Sequence, residues 1–346
     1  MNKLGRALGL LLVFGPLHFM FAQIAAPIHG VTVADDYDIR TTKYLNQVLT
    51  SLTDLSVTPT VRTVFTLEVD SGTQGATAST YASAIQQIKT SVVTSTKQHP
   101  LILGQPVDSS YMFCFTEDDH KARWNDYVTT LGSNVDVWEV GNEINGNWLY
   151  NTGANADTSG ESCPAKWPGG VPATTIQDVA NKMVDSYTIV KNAGKLAELT
   201  FTFCPTDLPA PNQPFIWIPK YVPTALLNGM DYVLISYYPN KSACAYGLPT
   251  SSDWVSWFQQ LHTLFPNAKL GMGEWGYTQN NPPSNLSTVL QEGYSINPSA
   301  SLPAGTWIGG VFYWEFGATA VPQTGTSKSG IKSDWSDVNT DLVNQH

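Results

Sequence analysis

Two glutamates occupy nearly the same local setting. The run Trp138-Glu-Val-Gly-Asn-Glu-Ile-Asn-Gly146 puts Glu143 just past an apolar stretch, behind a glycine and beside Asn142. The run Leu270-Gly-Met-Gly-Glu-Trp-Gly-Tyr277 puts Glu274 in the same relation to another stretch. A carboxyl pair does acid–base and nucleophilic chemistry when its surroundings keep one member protonated and the other ionised. Across a glycosidic bond, carboxyl groups about 5–5.5 Å apart lead to retention of configuration, and about 6.5–9.5 Å to inversion. A single Gly-Asn-Glu is usually a turn carrying a solvated acid, so the elements that position the pair decide the matter.

Short β-branched or aromatic runs alternate with longer amphipathic stretches from near residue 28 to near residue 317. The strand candidates are 30–33, 61–68, 101–104, 135–140, 199–203, 232–236, 270–273 and 308–312. Helical stretches fall at 41–55, 79–96, 119–131, 175–192, 253–265 and 286–294, most with Ser, Thr, Asp or Asn at or just before the start. Eight strands alternating with helices predict an α/β fold, a single-domain (β/α)8 TIM barrel spanning residues 23–346, with a last helix in the tail after Gly317. In such a barrel the chemistry belongs at the C-terminal strand ends. Those ends carry Arg62 to Asp70 on the second strand, Gln105 on the third, Asn142-Glu143 on the fourth and Asp207 on the fifth. Tyr237-Tyr238 follow on the sixth, Glu274 on the seventh and Trp314-Glu315 on the eighth. Strands four and seven lie on roughly opposite sides of the ring, so the two glutamates would face each other across its mouth.

Composition narrows the partners. The chain has 346 residues, 18 Lys and Arg against 28 Asp and Glu, a formal charge of −10, and only 13% charged residues. That balance disfavours nucleic acid, and 11% aromatic residues with 27 Gly and 22 Pro disfavour disorder and coiled coil. Lys3 and Arg6 precede a broken apolar run from Ala7 to Ala22, which reads as a secretory signal peptide over 1–22, cleaved between Ala22 and Ala26. An uncleaved N-terminal anchor is the alternative. No later run approaches the roughly 20 residues of a membrane span. The expected product is a secreted, extracellular or periplasmic monomer, free of the membrane after cleavage.

Export makes disulfides the default for Cys114, Cys163, Cys204 and Cys244. Each follows a different strand, from the third to the sixth, so Cys114–Cys163 and Cys204–Cys244 would join neighbouring active-face loops. The six histidines are scattered without HxH or HExxH spacing, and no metal or other cofactor is expected. Two sequons, at Asn240 and Asn285, matter only if the host glycosylates.

The motifs as a set resemble the clan A glycoside hydrolases, retaining (β/α)8 barrels with an Asn-Glu acid/base at the end of strand four and a Glu nucleophile at the end of strand seven. Gly141-Asn-Glu143 is similar to the acid/base motif, with Ile144 where many members have Pro, and Gly273-Glu-Trp275 to the nucleophile strand. Arg62 resembles the strand-two arginine that holds the nucleophile. Ser236-Tyr-Tyr-Pro239 resembles the strand-six tyrosine motif, with Ser236 where several families carry His, and Trp314 resembles the strand-eight aromatic platform. The same motifs resemble the endo-galactanases without singling them out.

The resemblance implies Glu274 as nucleophile and Glu143 as acid/base. Arg62 and Tyr238 would favour the charge of Glu274. Tyr238 is preferred to Tyr237 because it shares a face with Ser236. Asn142 would donate to the sugar 2-hydroxyl, and Trp314 would stack on the ring at the cleavage point. Trp148, Tyr150, Trp167, Trp275 and Tyr277 are candidates for stacking further rings. Glu315, Asp207, Gln105, Asp35 and Asp36 could equally line the cleft or be ordinary loop residues. The leading expectation is a retaining endo-β-glycanase acting on a β-linked polysaccharide or oligosaccharide. A transglycosylase or exo-β-glycosidase on the same barrel, an inactive carbohydrate-binding barrel, and unrelated metal chemistry are the alternatives.

Overall fold

The computed structural model describes residues 26–34, 39–65, 77–150, 174–203, 208–239, 249–276 and 286–345. The expected signal peptide, Asp35, Asp36, Asp70, Trp167, Asp207, Tyr277, both sequon asparagines and three of the four cysteines lie outside them. Cys114 is buried and disulfide-bonded, and its partner also lies outside the described residues, so the expected pairing is not placed.

Eight parallel strands close in chain order into a barrel: β1 (Ile28–Ala34), β2 (Thr60–Val64), β3 (Leu101–Gln105), β4 (Val137–Gly141), β5 (Leu196–Thr202), β6 (Tyr232–Tyr237), β7 (Lys269–Gly276) and β8 (Gly309–Trp314). All eight expected strands exist. Around them pack α1 (Thr42–Thr53), α2 (Ala78–Thr90), α3 (Glu117–Leu131), α4 (Ile176–Asn192), α5 (Pro214–Tyr221), α6 (Thr224–Gly229), α7 (Ser251–Leu264), α8 (Leu286–Tyr294), α9 (Phe316–Thr319) and α10 (Trp335–Leu342). The short helices α5 and α6 escape a periodicity reading because Pro214, Pro219 and Pro223 punctuate them. Helix α2 stops at Thr90 rather than running to 96, since Ser91 turns extended before a β-branched Val-Val-Thr segment.

Helix faces explain the outer core. In α1, Tyr44, Leu45, Val48 and Leu52 recur at helical spacing and are buried against the sheet. Full capping boxes start α4 at Thr175 and α7 at Thr250, with Asp178 and Asp253 completing them. Inside the barrel a second apolar cluster of Ile28, Leu103, Val137, Tyr232, Leu234, Ile308 and Phe312 fills the floor. Above that floor the inward side chains turn polar, and the mouth begins there.

Three strands depart from regular register. Between Glu139 and Gly141, β4 carries two steps against one on β5; between Met272 and Trp275, β7 carries three against two on β6; between Gly310 and Tyr313, β8 carries three against two on β1. An extra residue in one strand re-aims the side chains beyond it. These are the strands that lead to Glu143, Glu274 and Trp314.

Candidate active site

Arg62 is the hub. It lies on β2, almost wholly buried; its Nε donates to Glu139 Oε2 at 2.6 Å and its Nη2 to Glu139 Oε1 at 3.0 Å, while Nη2 also lies 2.8 Å from Glu274 Oε1. Burial works against the guanidinium charge, but the carboxylates of Glu139 and Glu274 outweigh it and raise its pKa well above the usual value. Glu139 stands directly beside Glu198 of β5 in register, both on the inner face and both buried. Burial, and next the charge of Glu139, push the Glu198 carboxyl well above the usual carboxylate range. Its Oε1 accepts from the Thr200 hydroxyl at 2.8 Å, and its Oε2 is buried without a hydrogen-bond partner. A buried carboxyl in that state favours its neutral acid form. Neither Glu139 nor Glu198 was singled out in sequence, though a charged residue inside an apolar strand (Val137-Trp-Glu-Val, Leu196-Ala-Glu-Leu) was the available signal.

Glu274 is held from four directions. Its backbone N–H donates to Ser236 Oγ at 3.2 Å, so the serine in the histidine position secures the backbone of the bulged strand. Its Oε1 accepts from Arg62 and from Asn142 Nδ2 at 3.0 Å, and its Oε2 accepts a short hydrogen bond from the Tyr238 hydroxyl. Burial, followed by the charges of Glu274 and Glu143, raises the Tyr238 hydroxyl well above the usual tyrosine pKa, which keeps it a donor. Three of these contacts, from Arg62, Asn142 and Tyr238, donate directly to the Glu274 carboxyl oxygens. Glu274 and Glu143 are both buried, with 5% and 7% of the residue exposed.

Glu143 follows β4 with φ of +41°, a left-handed conformation that a side-chain-bearing residue adopts at a cost of about 1–3 kcal/mol. The turn is fixed from behind. Gly146 N–H donates to Glu143 O at 2.7 Å and Ile144 N–H to Thr200 O at 3.2 Å. Asn145, fully buried, takes the Thr202 N–H on Oδ1 at 2.9 Å and gives its amide to Thr202 O at 3.0 Å and Asn212 O at 2.8 Å. Asn212 returns a bond to Asn145 O at 2.7 Å and accepts from Tyr150 at 2.9 Å.

Asn142 sits between the two halves. Its Nδ2 donates to Glu139 Oε1 at 3.1 Å as well as to Glu274, and its Oδ1 accepts from Ser109 N–H at 3.2 Å. An amide has two N–H donors, and both are committed to carboxylates. The donation to a sugar hydroxyl expected of Asn142 therefore requires Glu274 to release it.

The expected aromatic residues divide. Trp314, half-buried, lies with its ring 5.8 Å from the Arg62 guanidinium carbon, at the mouth. Trp275 and Tyr237 do not belong there: both are about 1% exposed and point outward, their rings 5.7 Å apart and both against Trp254, with Trp275 Nε1 donating to Val289 O at 2.8 Å. The period-two alternation that aims Tyr238 inward aims Tyr237 outward, and Trp275 follows Glu274 in the same way. Tyr150 is held by Asn212, and Trp148 packs partly buried on the core. Glu315 is fully buried and accepts from Ala34 N–H at 3.2 Å, a structural post joining β8 to β1. Gln105 is buried at the end of β3, its amide 3.3 Å from Asp108 Oδ2. Asp108, half-buried, heads the turn at Ser109–Cys114, taking the Ser110 N–H at 2.8 Å. Burial, and next the charge of Glu274, push its carboxyl up to about 6. Among the described residues no group of three His, Cys, Asp or Glu is placed to hold a metal ion, and no helix is long and apolar enough to cross a membrane.

No protein-family model and no curated protein matches the sequence. The fold is similar to that of solved structures. One is a family 1 β-glucosidase from Thermotoga maritima, with a TM-score of 0.57 and 10% identity over 91% of this chain and 96% of that one. The β-glucosidase from the same organism in complex with deoxynojirimycin gives 0.58 at 9% identity, covering 93% and 99%. The β-glycosidase BGL167 gives 0.56 at 10% identity, covering 92% and 96%. At such identities the likeness is one of fold, the (β/α)8 barrel.

Proposed function

We propose that the protein is a retaining glycoside hydrolase that cuts a β-linked polysaccharide internally. The observation that carries this reading is the Glu274 carboxylate, clamped by Arg62, Asn142 and Tyr238 at the end of β7, with Glu143 at the end of β4. In the first step a Glu274 oxygen bonds to the anomeric carbon as the glycosidic C–O bond breaks, and Glu143 gives its proton to the departing oxygen. In the second, water attacks the anomeric carbon, Glu143 takes a proton from it, and the ester bond to Glu274 breaks to restore the carboxylate. Tyr238 and Arg62 stabilise Glu274 before attack and after release. Trp314 offers the ring a stacking face. Secretion belongs to the same reading and rests on residues 1–22, whose removal N-terminal sequencing of the exported protein would show.

Chemical rescue tests the assignment. Glu274→Ala is expected to lose hydrolysis of activated aryl β-glycosides to the detection limit and to regain it with azide, giving the α-glycosyl azide. Glu143→Ala should lose about 10²–10⁴-fold on substrates needing leaving-group protonation and give the β-azide. Wild-type rates in Glu274→Ala, or azide products of the opposite anomeric form, would refute the roles. An exo-β-glycosidase is the second reading, favoured by the fold likeness to proteins named as β-glucosidases. Polymer viscosity falling ahead of reducing-end release supports endo action; the reverse order supports exo action.

A further inference from the structure

Among the described residues, Asp108 is an acidic group near Glu274 that the two-step chemistry does not use. The peptide joining it to Ser109 is pinned against the catalytic cluster, because Ser109 N–H donates to Asn142 Oδ1 at 3.2 Å and Asn142 lies 3.0 Å from Glu274. The Asp108 carboxylate is near enough to Glu274 and Arg62 for their charges to act on it, and the residue as a whole is half-buried. Its partners are local: Ser110 gives it both its N–H and its hydroxyl, and Gln105 a long contact that a ligand hydroxyl could replace. Oδ1 takes the Ser110 N–H at 2.8 Å, and Oδ2 meets the Gln105 amide at a long 3.3 Å. A carboxylate has about four acceptor positions. Gln105 is wholly buried and leaves its own Oε1 without a hydrogen-bond partner, so the wall beside Asp108 is polar and incompletely satisfied. With both donors of Asn142 committed to carboxylates, hydroxyl recognition next to Glu274 needs another group, and sugar hydroxyls can donate as well as accept.

We infer that Asp108 determines specificity, its carboxylate accepting hydrogen bonds from two adjacent hydroxyls of the sugar ring seated over Glu274. This rests on the glycosidase reading above. Two neighbouring hydroxyls match the two oxygens of one carboxylate, a geometry that a deoxy sugar or one epimer of the pair fails to meet. The substrate ring then carries a free vicinal diol facing β3.

The test uses the 4-nitrophenyl β-glucoside, galactoside, mannoside and xyloside, and the 3-deoxy and 4-deoxy forms of whichever the native enzyme cleaves fastest. Asp108→Asn keeps an oxygen for the Ser110 N–H, so the turn is preserved, and a melting curve checks that the variant is folded. It is expected to lower kcat/KM about 10–100-fold on the parent glycoside, the range for a hydrogen bond to a charged group. On the deoxy form lacking one partner hydroxyl, the loss should shrink to about 3–10-fold, because native enzyme has already lost one of the two contacts. Equal losses on parent and deoxy substrates would show a structural turn residue and overturn the inference, as would no loss on the parent. A native protein that neither cleaves nor, by calorimetry, binds any of the four glycosides or the β-glucan, galactan, mannan and xylan built from the same sugars refutes the glycosidase reading and this one together. Native turnover with uniform losses in Asp108→Asn refutes this one alone.

Discussion

The nucleophile is built from charge accounting among four side chains, Arg62, Glu139, Glu198 and Glu274. Arg62 brings one positive charge between Glu139 and Glu274, while burial and the charge of Glu139 raise the pKa of Glu198. Two ionised carboxylates side by side in register, with little solvent, would repel, so burial and Glu139 together favour a neutral Glu198. Its folded pKa therefore stands above the usual value of 4.5. The sign follows: the stability that this proton confers is complete below about pH 4.5 and is lost as pH rises toward the folded value. Glu198→Gln cannot ionise and keeps an oxygen for Thr200. Relative to native, the variant should gain stability as pH rises above about 4.5, read as the difference in melting temperature. A difference that stays flat over that range would show that Glu198 is ionised in the fold.

Elements aim these side chains through local irregularity. Each strand leading to Glu143, Glu274 or Trp314 holds an extra residue, and the turn after β4 is locked to β5 by Asn145. In β7, a Cβ on Gly273 would come within 3.1 Å of Thr200 Cγ2 and 3.3 Å of Ser236 Oγ, so a small residue lets the bulge seat Glu274 against Ser236. Asn145→Ala would orphan the Thr202 N–H and two carbonyls in a buried place. A loss of about 2–4 kcal/mol is expected in denaturant unfolding, with a fall in kcat larger than any change in KM, because Glu143 loses the backing of its strained turn. Wild-type kcat in this variant would show that the clamp does not set the acid/base.

Across the molecule, barrel closure depends on places where strands nearly touch. Gly310, at φ of +106°, leaves 2.1 Å between its hypothetical Cβ and Met272 O, and Gly30 leaves 2.4 Å to Gly310 O. A methyl group at 310 meets both an unfavourable φ and the backbone of β7. Gly310→Ala should therefore cost about 3–5 kcal/mol in equilibrium unfolding, the combined scale of a strained backbone and an overpacked contact. A change under about 1 kcal/mol would mean that β8 can slide without loss. The floor of the barrel is apolar and its upper half ionic, so damage to closure should be felt at the mouth as well as in stability.

The strands, the count of eight, most helices and the two glutamates were legible in the residues themselves, because hydrophobic period and turn chemistry are local properties that survive in any context. Arg62, Tyr238 and Trp314 also stood out at strand ends. Glu139, Glu198, Asn145 and Asp108 did not, since the first three take their meaning from partners 57 to 77 residues away and Asp108 from its nearness to Glu274. Tyr237 and Trp275 were misplaced for a related reason: strand-end position names a residue, but the pleat and the bulge choose its face. Sequence by itself determined which elements form and which acids are candidates, as local backbone preference and side-chain period demand. Tertiary structure alone decided which charges share Arg62, which donors of Asn142 are spent and which strand residues face the mouth, because those depend on distances that only barrel closure sets.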